Sequence, residues 1–189
     1  MERTASQYDG VEARFPRRVR CMVLSAFTAM LFVSGPIAAE GLPKPEGRVI
    51  LRVLGKIENT NATIDDKPAA AFDRKMLENL SQASIRTHTP WTDGVVAFEG
   101  PLLRDLLARV GAYGEILSTI AINDYAVDVP ADDAASYRVI LALKMNGKYL
   151  TVRTKGPLWV IYPWDRREEL QSETFYSRSI WQLKEIAVK

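Results

Sequence analysis

Eleven residues, Lys155-Gly156-Pro157-Leu158-Trp159-Val160-Ile161-Tyr162-Pro163-Trp164-Asp165, constrain this chain more than any others. The run opens on a Gly-Pro turn and closes at a proline, and between them Leu158 to Tyr162 has the length and composition of a strand. Alternation puts Trp159 and Ile161 on one face and Leu158, Val160 and Tyr162 on the other. Both faces are large and apolar, so the strand is expected in the interior. Its ends carry groups an interior strand does not need. Lys155 can hold an anion, Gly156 permits close backbone approach, and the tryptophans offer flat faces for stacking. Two readings follow: a plain core strand between loops, or a core strand whose ends border a ligand.

The first 39 residues have the pattern of an export signal. Arg14, Arg17, Arg18 and Arg20 form a charged leader. Met22 to Val33 is an apolar run too short to span a bilayer with ease, and Ile37-Ala38-Ala39 offers a cleavage site after Ala39. Retention of the segment as an anchor is the alternative. Cleavage would remove Arg3, Arg14, Arg17, Arg18 and Arg20 together with Glu2, Asp9 and Glu12, taking the formal net charge from +2 to 0. The basicity thus belongs to the signal, and no basic tract remains to argue for nucleic acid. The single cysteine, Cys21, would go with it, leaving no disulfide and no thiolate. With His88 as the only histidine, a transition-metal site built from this chain is not expected. These features together fit a periplasmic protein.

In the mature region, residues 40–47 read as an extended lead-in and 48–189 as one domain. Arg48 to Ile57 reads as a strand, with a shorter one around Ala62-Thr63-Ile64. Asp73 is a candidate N-cap for a helix bearing Phe72, Met76, Leu77 and Leu80 at helical spacing. Ser84 to Thr89 alternates as a strand and is followed by a loop, Thr89 to Gly94, that contains Trp91. Pro101 is expected at the first position of the clearest helix, with Leu102, Leu103, Leu106, Leu107 and Val110 on one face and Gly111 as its stop. Ser118 to Val129 reads as a strand broken at Asn123-Asp124, either by a bulge or by a site. Asn146-Gly147 is a two-residue hairpin signal expected to set the register of the central strand. Ile180 to Val188 reads as a closing strand. Strands in runs with a few short helices give an α+β class.

Taken in order, Thr-Pro-Trp, Gly-Pro-Leu-x-x-x-Leu-Leu, Asn-Asp-Tyr, Ile-Leu-Ala, Asn-Gly and Lys-Gly-Pro-Leu-Trp-Val-Ile-Tyr-Pro resemble the oxidoreductase molybdopterin-binding domain. This is the fold of the sulfite oxidase catalytic domain, mostly β sheets with a few short helices, and the resemblance covers Arg48 to Val188. In the family's enzymes one cysteine binds molybdenum; aligned on Trp91, its place here falls near Thr87. A hydroxyl is no substitute for a soft thiolate. The resemblance therefore implies a pterin-shaped site without its metal ligand, and no molybdenum is expected. It points to the small periplasmic proteins of this fold that bind reduced pterins and act on the periplasmic domain of a membrane sensor, a diguanylate cyclase or phosphodiesterase of cyclic di-GMP metabolism. A molybdopterin-dependent oxidoreductase with a non-cysteine metal environment is the alternative, and a ligand-free interaction module is a third reading.

A pterin, or a molybdopterin-like ligand, needs planes to stack on and polar groups for its amino-keto edge. Trp91, Tyr125, Trp159 and Tyr162 are the candidate planes, Thr92, Asn123 and Asp124 the candidate edge readers, and Lys155 and Gly156 the turn beside them. A carboxylate facing the amino edge is expected, with Asp124 as its candidate. No catalytic residue is expected.

Overall fold

The computed structural model describes residues 41–189; the export signal expected over 1–39 lies outside the described residues. The chain runs β1 (Val49–Gly55), β2 (Ala62–Ile64), β3 (Lys67–Asp73), α1 (Arg74–Glu78), β4 (Gln82–Thr89), β5 (Thr92–Pro101) and α2 (Leu103–Val110). It continues through β6 (Ile116–Ala121), β7 (Ala126–Pro130), α3 (Asp132–Ser136), β8 (Ile140–Ala142), β9 (Lys144–Met145) and β10 (Lys148–Tyr149). The central strand β11 (Trp159–Ile161), helix α4 (Glu173–Arg178) and β12 (Leu183–Val188) complete it. No helix among the described residues is long and apolar enough to cross a membrane.

Three sheets carry the fold, which is α+β as expected. A six-stranded sheet has the order β2-β3-β1-β12-β6-β7, a four-stranded sheet β10-β9-β5-β4, and β11 pairs with β8 alone. The last strand, β12, lies parallel to the first, β1, and antiparallel to β6, so the two ends of the domain close one sheet. Leu51, Val53, Phe98, Leu103, Leu106, Leu117, Ile186 and the whole of β11 bury into one apolar cluster.

Local chemistry explains the elements that the sequence made legible. On β4, Ala83, Ile85, Thr87 and Thr89 are buried while Ser84, Arg86 and His88 face out, the period-2 pattern of a strand with one covered face. Gly111 ends α2 in the left-handed region at φ 62°, ψ 47°. Asn146 and Gly147 both have positive φ, 49° and 74°, as a type I′ hairpin requires. That turn pairs β9 with β10, however, and the register of the central strand is set by β8.

Other elements differ from expectation. The loop expected over Thr89 to Gly94 is a tight turn at Pro90 and Trp91, because Thr89 already faces Thr92 across the β4–β5 ladder. Pro101 closes β5 rather than opening the helix. Gly100 sits where a Cβ would fall 2.0 Å from the Leu141 carbonyl oxygen, so β5 packs against β8 only with glycine there. Strand β3 passes unnoticed in the sequence because Ala69, Ala70 and Ala71 are buried on both faces and show no alternation.

Asp73 is the N-cap of α1, as expected, and does more than cap. One carboxylate oxygen accepts the Met76 N–H at 2.9 Å, and the other accepts those of Gly47 at 2.8 Å and Glu46 at 2.9 Å, tying the lead-in to the helix. These donors, Met76 foremost and then Gly47, hold the carboxyl below its ordinary value. Asp73→Ala should lower stability by about 1–2 kcal/mol, read from urea midpoints. A depressed folded-state value means the charged form supplies this stability. It is complete above the ordinary carboxylate value of about 3.9 and disappears as pH falls through the lowered one, so the gap between wild type and variant should close in acid.

Candidate functional site

Two turns, one helix and the residues before β12 enclose a cavity of about 360 Å³. Trp91 enters it from the β4–β5 turn, and Asn123 and Tyr125 from the turn between β6 and β7. Glu173, Tyr176 and Ser177 come from α4, and Trp181 leads into β12. All four tryptophans of the chain gather here. The Trp91 ring centroid lies 5.4 Å from Trp181, 5.9 Å from Trp159 and 6.1 Å from Trp164, with Tyr176 also at 6.1 Å. The contacts with Trp164, Tyr176 and Trp181 are edge-to-face, so the half-buried Trp91 is held among aromatic rings. Tyr125 stands at the rim, 56% exposed. Glu173 is the one charged residue among the described residues of that lining.

The residues proposed from the sequence divide between this cavity and its surroundings. Trp91, Asn123 and Tyr125 come together on the wall. Thr92 turns its hydroxyl to that of Thr89 at 2.8 Å and braces the turn carrying Trp91. Asp124, in the left-handed region at φ 65°, points the other way and meets Lys184 Nζ at 2.6 Å. That hydrogen bond, and then the ammonium charge, holds its carboxyl below the usual range. The carboxylate in the cavity is therefore Glu173, a residue the sequence reading passed over. Trp181 and Tyr176 were passed over too, although Glu173 and Tyr176 have the three-residue spacing that places two side chains on one helix face.

Gly156, Trp159 and Tyr162 need correction as ligand contacts, because all three are core. The Trp159 side chain is fully buried and its indole N–H donates to the Ser179 carbonyl at 3.0 Å. Gly156 is needed because a Cβ there would lie 2.6 Å from the Leu150 carbonyl carbon, a backbone contact and not a ligand one. Tyr162 donates to Asp133 Oδ2 at 2.7 Å, and the same oxygen accepts Arg178 Nη1 at 3.0 Å. Burial and, after it, the Asp133 hydrogen bond push the phenol far above its ordinary value, so it stays protonated. Asp133, buried at the start of α3, is the hub of this network. Lys155 lies behind the cavity, its ammonium 4.1 Å from the Trp181 ring centroid and 5.3 Å from that of Trp159. It clamps the two indoles by cation–π attraction.

Thr87 has no exposed surface, and its hydroxyl accepts the Asp165 N–H at 3.1 Å. The same Asp165 carboxylate takes both the His88 N–H and the His88 Nδ1 at 2.9 Å. The position near which the resemblance places the metal-binding cysteine thus holds a buried hydroxyl already in use. No cluster of three or more His, Cys, Asp or Glu side chains among the described residues is arranged to hold a metal ion. These residues do not fit a molybdenum ligand set, and the cavity described above is lined mainly by aromatic rings and small polar groups.

The model of the oxidoreductase molybdopterin binding domain matches residues 69–165. The chain belongs to that family. Among solved structures it is similar to the sulfane dehydrogenase SoxCD from Paracoccus pantotrophus, with 16% identity and a TM-score of 0.53. The match covers 73% of this chain and 37% of that one, so this chain corresponds to little more than a third of the larger protein. At that identity the likeness is one of fold. No curated protein matches the chain.

Proposed function

We propose that this protein binds a reduced pterin in the Trp91–Tyr125–Glu173 cavity, without molybdenum and without catalysis, and relays pterin availability from the periplasm to a membrane enzyme of cyclic di-GMP metabolism. One observation carries the ligand: a carboxylate and several aromatic rings lining one space of about 360 Å³. Small-molecule pockets span about 300–1,000 Å³, and a bicyclic ring belongs at the lower end. Trp91 and Tyr125 offer planes, Glu173 accepts from the amino group and the adjacent ring N–H, and Asn123 has both a donor and an acceptor for the keto side. The buried, engaged Thr87 supports binding without the metal. Periplasmic residence rests on the leader sequence, and the membrane partner on the family resemblance drawn from the motifs.

Calorimetric titration with tetrahydropterins tests the ligand. Tyr125→Ala removes an exposed ring and Glu173→Gln removes a charge, and neither group is core. Stacking on one ring is worth about 1–3 kcal/mol, so Tyr125→Ala should weaken binding roughly 5- to 150-fold. Glu173→Gln should weaken it in the same direction and reduce the preference for pterins that carry the amino group. No heat with wild type, or wild-type affinity in both variants, would refute the assignment. Stoichiometric molybdenum in protein purified from a periplasm whose host makes the cofactor would refute the metal-free reading.

A further inference from the structure

Outside the pterin cavity lies a groove of about 1,050 Å³ between the lead-in, α1, the β6–β7 turn and the segment around Val152. That is at the upper end of the range for small-molecule pockets, about 1,000 Å³, and leaves room for a length of polypeptide. Its walls mix two chemistries. Val49, Ile122 and Val152 line it with 41%, 41% and 51% of their surfaces exposed, and Leu150 and Pro157 continue the apolar strip. Arg48, Arg52, Arg74, Lys75 and Lys184 stand against three acids, Glu46, Asp73 and Glu78.

Partners decide which of these charges are available. Asp73 is consumed by three backbone N–H groups, and Glu78 accepts the Tyr149 hydroxyl. Arg52 pairs with Glu185, Lys75 with Glu46 and Lys184 with Asp124. Arg48 and Arg74 have no ion-pair partner among the described residues, and the Arg74 guanidinium rests 4.5 Å from the Tyr149 ring centroid. Exposed aliphatic groups beside unpaired guanidinium groups are what an interaction surface presents.

We propose that this groove docks an acidic segment of a partner protein, one that alternates carboxylates for Arg48 and Arg74 with aliphatic side chains for Val49, Ile122 and Val152. The concave shape favours a segment of chain over a flat anionic bilayer, because Leu150 and the half-buried Arg52 lie among its lining. The turn between β6 and β7 is shared. Asn123 and Tyr125 face the pterin cavity, whereas Ile122 faces the groove and Asp124 holds Lys184 on its wall. A ligand that orders this turn acts on both sites, which gives the relay under the proposed function a physical route. The docking itself does not depend on the pterin.

The test is amide chemical-shift mapping on the mature protein with two synthetic peptides, one alternating glutamate and leucine and one alternating lysine and leucine. The acidic peptide should shift Arg48, Val49, Ile122 and Val152 and should bind at least tenfold more weakly when ionic strength rises from low to physiological, as screening requires. The double variant Arg48→Glu/Arg74→Glu should lose that binding at least tenfold while keeping its denaturation midpoint. Equal binding of the lysine peptide, shifts outside the groove, or an unaffected double variant would overturn the proposal. So would stronger binding to phosphatidylglycerol vesicles than to the peptide. Tetrahydropterin titration of the same double variant should match wild type. If neither protein binds pterin, the pterin reading fails while the docking result stands.

Discussion

Asp133→Ala is expected to lower folding stability by about 3–5 kcal/mol, the range for removing one partner of a buried ion pair. Asp133 is 6% exposed and its Oδ2 serves both the Tyr162 hydroxyl and Arg178. Alanine leaves a guanidinium and a buried phenol without an acceptor, and the penalty comes from those stranded groups more than from the lost contact. Against the 5–15 kcal/mol typical of a whole domain, the loss is severe. Tyr162→Phe should cost only about 1 kcal/mol, because Asp133 keeps Arg178 and no donor is orphaned. Urea midpoints of the two variants give the comparison, and equal midpoints would contradict the hub. The effect reaches the Trp91–Tyr125–Glu173 cavity through α4. Arg178 ends that helix, and Phe175 packs on Tyr162 at 5.4 Å between ring centroids, so the network fixes the helix that presents Glu173 and Tyr176. In a variant still folded at low temperature, pterin affinity should fall as well.

The sequence was informative where a single residue or a short period decides local geometry. Asp73, Gly111, Asn146-Gly147 and the alternation of Ser84 to Thr89 each have one physical solution, and those elements stand where expected. The strand from Leu158 to Tyr162 is interior, as its two apolar faces required. Family membership was legible from the order of short motifs. The site was legible only in part. Trp91, Asn123 and Tyr125 meet because two turns, far apart in the chain, converge. Nothing in a strand's own sequence says which of its large side chains faces a cavity, and so Trp159 and Tyr162 could be core or ligand. Asp124 and Asn123 are neighbours in one turn, yet the positive φ at Asp124 sends their side chains to opposite sides. Glu173, Tyr176 and Trp181 were missed because α4 packs against β7 and only there meets the turn carrying Trp91, a tertiary event with no local signature.

Trp91→Ala is expected to damage both stability and ligand binding, and the two effects can be separated. From the sequence, Trp91 is a loop residue whose loss should spare the fold. In the structure its ring touches Trp159, Trp164, Tyr176 and Trp181, and it packs against the main cluster. A fully buried tryptophan replaced by alanine costs about 3–5 kcal/mol, so a half-buried one should cost about 2–3 kcal/mol. Its removal also opens the cavity wall and lets Trp181 tilt away from Lys155. Pterin affinity should therefore drop by more than the single-ring factor expected for Tyr125→Ala. Trp91→Phe retains a plane of smaller area and should recover most of the stability but only part of the affinity. Urea midpoints and calorimetric titrations on Trp91→Ala, Trp91→Phe and Tyr125→Ala, at a temperature where all are folded, separate the contributions. Tyr125→Ala should leave the midpoint within about 0.5 kcal/mol of wild type, as surface changes do. A Trp91→Ala protein that is destabilised yet binds tetrahydropterin as wild type does would show the indole to be a wedge in the aromatic cluster and not a wall of the site.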